Sequence, residues 1–176
     1  MTLSIGAQAP DFSLPDTGGA SWSAGDGDDA RATVLVFTCN HCPYALAWHD
    51  RIAQVARDYT DRGVRVLAIN PNDADRYPRD SLEAMRRRVE AEDWPMPYLR
   101  DESQEVARSY GAKTTPDVFV LDSERTLRYR GAPDSDYDDP SAGARWLRDA
   151  LDAVLAGEAP SRSETRPVGC SIKWKP

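Results

Sequence analysis

Val34-Leu35-Val36-Phe37-Thr38-Cys39-Asn40-His41-Cys42-Pro43-Tyr44 decides how the chain is read. Four apolar residues, Val34 to Phe37, run into a Cys-x-x-Cys, and an amphipathic stretch follows from about Ala45 to Asp61. Its apolar positions are Ala45, Trp48, Ile52, Val55 and Tyr59, at steps of three and four, which is helical spacing. Two cysteines thus sit where a buried strand turns into a helix. Residues three apart on a helix share a face, about 5 to 6 Å apart, which is within disulfide reach.

Position adds reactivity. The N-terminus of a helix carries unpaired N–H groups and about half a positive charge, so it favours a thiolate. Cysteines in such motifs titrate at about 3.5 to 7.5, against about 8.5 for a free thiol. Cys39 is expected to be the exposed, attacking sulfur and Cys42, one turn inside, the resolving one. A protonated His41 would stabilise the thiolate and make the pair more oxidising. A Cys39–Cys42 bond closes a loop worth only about 2 kcal/mol, whereas one from Cys42 to Cys170 would give about 5. The short loop suits cycling better than stapling.

Working outward, 176 residues suffice for one domain with a real core, taken as 1–160, followed by a tail at 161–176 expected to pack on it. A net charge of −7 argues against nucleic acid or an anionic membrane as partner. No stretch near Met1 to Pro10 reads as a signal peptide, and no apolar run approaches the roughly 18 residues of a membrane span. Three cysteines are too few for a disulfide scaffold, so a cytoplasmic protein with reduced thiols is expected.

Ala9 to Asp16 reads as a short strand, with Ala20 to Ser23 returning as its hairpin partner and Ser23 to Arg31 as an acidic loop. Val64 to Ile69 is a second central strand, parallel to the first across the helix. Asp80-Ser81-Leu82-Glu83 looks like a capping box opening a helix to about Glu92. Trp94 to Leu99 is extended because its prolines forbid helix. A helix from Asp101 stops at Gly111. Thr114-Thr115-Pro116 leads into a strand to Leu121, which pairs with Thr126 to Arg130 through a turn. Ala144 to Ala156 is a last amphipathic helix. The tail ends Gly169-Cys170-Ser171-Ile172-Lys173-Trp174-Lys175-Pro176.

Strand, Cys-x-x-Cys, helix, strand, then Thr-Pro before a hairpin and a last helix resembles the thioredoxin fold: an α/β protein with a central mixed sheet flanked by helices, here with an N-terminal β-hairpin extension. Ala9-Pro10-Asp11-Phe12-Ser13-Leu14-Pro15-Asp16 is similar to the redoxin branch, shared by peroxiredoxins and thiol-disulfide reductases. Thr38-Cys39-Asn40-His41-Cys42-Pro43-Tyr44 with the Gly-Cys-Ser-Ile-Lys-Trp ending resembles the bacterial peroxiredoxin-like thioredoxin family. The resemblance implies a cis peptide at Thr115-Pro116 facing the cysteines, with the Thr115 backbone free to pair with a substrate peptide. It also marks departures. The buried Asp of thioredoxins is Thr33 here, and the Glu of some reductases is Ala45, so no base for Cys42 is identified. Peroxiredoxins need Thr or Ser three residues before the peroxidatic cysteine, and counting from Cys42 that position is Cys39.

The leading expectation is a thiol-disulfide oxidoreductase with Cys39 and Cys42 catalytic. His41 tunes the potential, and Thr115, Pro116 and Tyr44 line the substrate groove. A disulfide-bearing protein or small molecule is the substrate and a thiol the electron donor, with no cofactor and no resident metal. The alternatives are a thiol peroxidase and a non-catalytic metal or redox-sensing module. For zinc, the other available ligands are His41, His49 and Cys170. Cys170 is either a third redox thiol or an idle, core-like one, the latter slightly favoured; a tail packed near Cys39 would favour the former. Bland readings are preferred for His49 (surface), Arg86 to Arg88 (solvated helix face), Asp134 to Asp139 (not calcium) and the five tryptophans (packing), although Trp174 could cover Cys170.

Overall fold

The computed structural model describes residues 3–25 and 29–176. Two short strands, β1 (Ser13–Pro15) and β2 (Ser21–Ser23), pair antiparallel as the N-terminal hairpin. The expected loop from Ser23 to Arg31 lies partly outside the described residues. The apolar run then becomes β3 (Ala32–Phe37), all six of whose residues are buried. Successive strand residues face opposite ways. Ala32, Val34 and Val36 therefore enter one core, and Leu35 and Phe37 the other.

Helix α1 (Pro43–Tyr59) carries the chain across to β4 (Val64–Asn70), which lies parallel to β3. Two neighbouring parallel strands require such a crossover. Helix α2 (Leu82–Ala91) leads to β5 (Tyr98–Arg100), parallel to β4. Helix α3 (Glu105–Tyr110) precedes β7 (Asp117–Asp122), antiparallel to β3, and β8 (Leu127–Gly131), antiparallel to β7; a two-residue strand, β6 (Thr114–Thr115), lies just before β7. The five-stranded mixed sheet has the order β5-β4-β3-β7-β8. Helix α4 (Arg145–Leu155) joins α1 over one face through Leu147 and Leu151 against Val34 and Val118. Helix α3, Leu14 of the hairpin and Ile172 of the tail cover the other face. This is the thioredoxin-like architecture expected from the sequence.

Three local expectations need correction. Helix α1 opens at Pro43 with Cys42 as its N-cap, so Cys42 is at the helix mouth rather than a turn inside, and Cys39 lies in the preceding turn. Proline at the first helical position explains the start, because its missing N–H has no partner to lose there. Helix α2 is capped by Ser81, whose Oγ accepts from the Ala84 amide at 3.1 Å, not by Asp80. Asp80 is fully buried and engaged elsewhere. Helix α3 begins at Glu105, after Gln104 at φ 66°, because the Asp101 carboxylate reaches forward to accept from the Ala107 amide at 2.9 Å. It stops at Gly111, φ 70°, as a left-handed cap requires.

The tail is bonded to the body. Thr165 N donates to Arg130 O at 3.0 Å, Ile172 N to Lys113 O at 3.1 Å and Asp73 N to Lys173 O at 2.8 Å. Its last strand, β9 (Cys170–Ser171), pairs antiparallel with β6.

Candidate active site

Both cysteines of the motif stand at the C-terminal end of β3, and both sulfurs turn toward Thr115. Cys39 Sγ is 3.4 Å from Thr115 Oγ1, and Cys42 Sγ is 3.1 Å from Thr115 O. The Thr115–Pro116 peptide is cis, as the resemblance implied. Tyr44 lies at the rim of the pair, its ring 4.5 Å from that of Tyr137.

The expected difference in exposure between the two sulfurs is not found. Cys39 and Cys42 are each 1% exposed. Their difference is electrostatic. The Cys39 thiol is pushed up by its hydrogen bond to Cys42, by burial and by the Asp80 carboxylate. Cys42 is pulled down by the same hydrogen bond, with the Cys170 thiol, Thr115 and the Ala45 amide adding to it against the cost of burial. Two adjacent thiols in one buried pocket resist carrying two negative charges at once. A carboxylate repels charge at Cys39 and donors converge on Cys42, so a thiolate is favoured at Cys42 over Cys39.

Asp80 is the candidate site residue that sequence reasoning missed. It is fully buried, and its Oδ1 accepts from the Asn40 amide at 2.7 Å and Asn70 Nδ2 at 3.2 Å. Its Oδ2 accepts from Asn72 Nδ2 at 3.0 Å and lies 2.6 Å from His41 Nδ1. The His41 ring is stacked 5.8 Å from that of Tyr77. The Tyr98 hydroxyl donates to Asn40 Oδ1 at 2.7 Å. Arg88 is not solvated as expected: its guanidinium donates to Cys39 O at 3.1 Å and lies 4.8 Å over the Trp94 ring. The available sequence signal was the polar Asn70-Pro71-Asn72 directly after an apolar strand, since ligand sites in α/β sheets gather at strand C-termini.

Other candidates separate from the site. His49 faces Glu92 at 3.3 Å and Trp94 at 4.4 Å between ring centroids. Trp174 takes the Arg108 guanidinium at 4.4 Å and packs in the α3-side core instead of covering Cys170. Asp134 is occupied by Arg51, Trp48 and the Ala144 amide, which leaves it no role in holding calcium. Cys170, by contrast, packs against Cys39, Cys42 and Ala45. Cys39, His41 and Asp80 bring donor atoms of three kinds that zinc accepts to within 4.8 Å of one another. The set considered from the sequence was Cys39 and Cys42 with two of His41, His49 and Cys170.

A model of the AhpC/TSA family matches residues 5–130. The chain belongs to the AhpC/TSA family. It is similar to a hypothetical protein from Sinorhizobium meliloti 1021, at 38% identity over 99% of this chain and 97% of that one, TM-score 0.92. It is equally similar to an uncharacterized conserved protein from Geobacillus kaustophilus, at 40% identity over 99% and 94%, TM-score 0.92. A putative thiol:disulfide interchange protein DsbE from Chlorobium tepidum shares the fold at 21% identity over 88% and 99%, TM-score 0.71. No curated protein matches. The AhpC/TSA chain is thus a thioredoxin-fold redoxin of the thiol oxidoreductase or peroxidase type. No helix among its described residues is long and apolar enough to cross a membrane.

Proposed function

We propose that the protein is a cytoplasmic thiol-disulfide oxidoreductase in which Cys39 and Cys42 cycle between dithiol and disulfide. The observation that carries this is the pair itself: two neighbouring sulfurs at the mouth of α1, both touching Thr115 before the cis Pro116, with a thiolate favoured at Cys42 over Cys39. The Cys42 thiolate attacks a substrate disulfide, forming a mixed disulfide and expelling one substrate thiolate. Cys39 then attacks Cys42 Sγ, and the second substrate thiolate leaves. Two electrons pass to the substrate and are replaced by an external thiol donor.

Cys39 must lose its proton in the second step. Asp80 and His41 stand within 4.8 Å of it and are in place to take that proton, directly or through one water. The base missing beside Cys42 is less needed there, since the surrounding donors pull the Cys42 thiol down. Tyr44, Thr115 and Pro116 line the approach to the sulfurs. With a net charge of −7, the protein has no surface bias toward nucleic acid or anionic lipid.

Trapping tests the reading. With insulin as substrate, Cys39→Ser should accumulate a mixed disulfide through Cys42, while Cys42→Ser should lose turnover by about a thousandfold or more. A trap that forms only in Cys42→Ser would restore Cys39 as the attacking sulfur. A wild-type protein that forms no Cys39–Cys42 bond and reduces no disulfide would end the proposal.

A second reading, thiol peroxidase, is favoured by one observation: both sulfurs are 1% exposed, and a peroxide is small enough to reach them. Cys42 would become a sulfenic acid, and Cys39 would condense with it to the disulfide with loss of water. Peroxide consumption lost in Cys42→Ser and retained in Cys39→Ser supports it. A metal module instead predicts stoichiometric zinc in protein purified under reducing conditions.

A further inference from the structure

The backbone edge of Thr115, which the resemblance left open for a substrate peptide, is already taken. Thr115 pairs antiparallel with Cys170, and Thr114 with Ser171. An added strand satisfies exposed N–H and C=O groups in the way a bound peptide does. The approach is close enough to demand glycine next door: a Cβ on Gly169 would stand 2.2 Å from Thr115 O. The seat is anchored further on. Ile172 is buried on the α3 side of the sheet, and Gln104 holds both Lys173 O and Lys175 N at 2.9 Å. The sulfur that this strand carries packs against Cys42, and it is less deeply buried than Cys39 and Cys42.

We propose that β9 is a built-in substrate strand, and that Cys170 is a third catalytic thiol through which the buried pair exchanges its disulfide with the outside. The inference rests on the proposed Cys39–Cys42 cycle. After that disulfide forms, the Cys170 thiolate attacks Cys42 Sγ. The S170–S42 bond forms, the S42–S39 bond breaks, and Cys39 leaves as thiolate. An external dithiol then attacks the more accessible Cys170 sulfur, expels the Cys42 thiolate and closes its own disulfide, so that its two electrons restore all three thiols.

The resting electrostatics fit this order of events. Burial pushes the Cys170 thiol up, and so does its hydrogen bond to the charged Cys42. Once Cys42 is in a disulfide that charge is gone, and Cys170 ionises more easily. The third thiol therefore ionises less readily in the dithiol state than after oxidation.

Disulfide mapping tests it on the full chain. Cys39→Ser, treated with one equivalent of diamide and digested without reduction, should give the intramolecular Cys42–Cys170 peptide as its main product. Free Cys42 and Cys170, or intermolecular bonds alone, would overturn the inference. A second arm keeps all three cysteines. In the unaltered protein, equilibrated with limiting dithiothreitol, both Cys39–Cys42 and Cys42–Cys170 peptides should be found. Gly169→Ala, which displaces the strand, should lower the ratio of the second to the first by about tenfold or more. An unchanged ratio would refute delivery by β9. A Cys39–Cys42 bond without any Cys42–Cys170 bond removes this inference and leaves the proposed function standing. Absence of the Cys39–Cys42 bond removes both.

Discussion

Two carboxylates, Asp80 and Asp134, are buried beside helix α1, at 0% and 2% exposure, and they have opposite meanings. Asp134 is matched by a fixed cation. Arg51 Nη1 donates to its two oxygens at 2.9 and 3.1 Å, the Trp48 indole donates at 2.9 Å and the Ala144 amide at 2.8 Å. Its charge is spent on tying α1 to the loop before α4. Asp80 is held by neutral donors, the Asn40 amide and the Asn70 and Asn72 side chains, with His41 as its titratable neighbour. Its field is left to act on Cys39. Burial of a charge thus says little by itself; whether a permanent opposite charge accompanies it separates a structural carboxylate from a chemical one.

The largest effect expected from this contrast is in stability. Asp134→Ala leaves the buried Arg51 without its carboxylate partner and should cost about 3 to 5 kcal/mol in urea unfolding. The alkylation rate of Cys42 in the folded protein should stay the same. If that rate moved as well, the two carboxylates would not be separable.

Asp117 supplies a third case. It is fully buried, and burial pushes its carboxyl up to about 6. With the folded value raised, its contribution to stability is fully present below the ordinary 3.8 and is lost as pH rises through about 6. Asp117→Asn should flatten this fall, worth roughly 2 to 3 kcal/mol. Unfolding curves at pH 4.5 and 7.5 measure it; equal slopes in both proteins would remove the assignment.

Asp80→Asn should cost less stability, about 1 to 2 kcal/mol, because an amide group must face the Asn72 donor. Its main consequence is chemical. Without the carboxylate the Cys39 thiol titrates at lower pH, and its thiolate fraction at a fixed pH rises about tenfold for every pH unit by which the titration midpoint falls. The pH profile of iodoacetamide labelling at Cys39 reads this directly. The smallest change is Tyr98→Phe, which deletes the hydrogen bond to Asn40 Oδ1 and should cost about 1 kcal/mol. A much larger loss would mean that the Asp80 network is structural after all.

The legible parts of the molecule were those with local causes. The β3 run, the Cys-x-x-Cys, the stripe of α1 and the return strand β4 follow from periods of 2 and 3.6 within 37 residues, Val34 to Asn70. Asp80 illustrates the opposite. Its place before a Ser and a helical run reads as a cap, and only the fold shows that Ser81 caps while Asp80 turns inward beneath Cys39. Arg88 likewise belongs to a basic triplet that reads as surface, yet it reaches the Cys39 carbonyl across the interface between α2 and the cysteine turn.

The sequence by itself determined the two candidate sulfurs, the strand and helix that present them, and the proline that follows Thr115. Short-range geometry dictates all of these, through side-chain period, chain stiffness and the unpaired amides of a helix start. The tertiary structure decided which sulfur is favoured to carry charge and what lies over the pair. Those depend on Asp80 and Cys170, brought in from 41 and 128 residues beyond Cys39 and Cys42 respectively. Electrostatic and hydrogen-bonding energies fall with distance in space, and separation along the chain does not enter them.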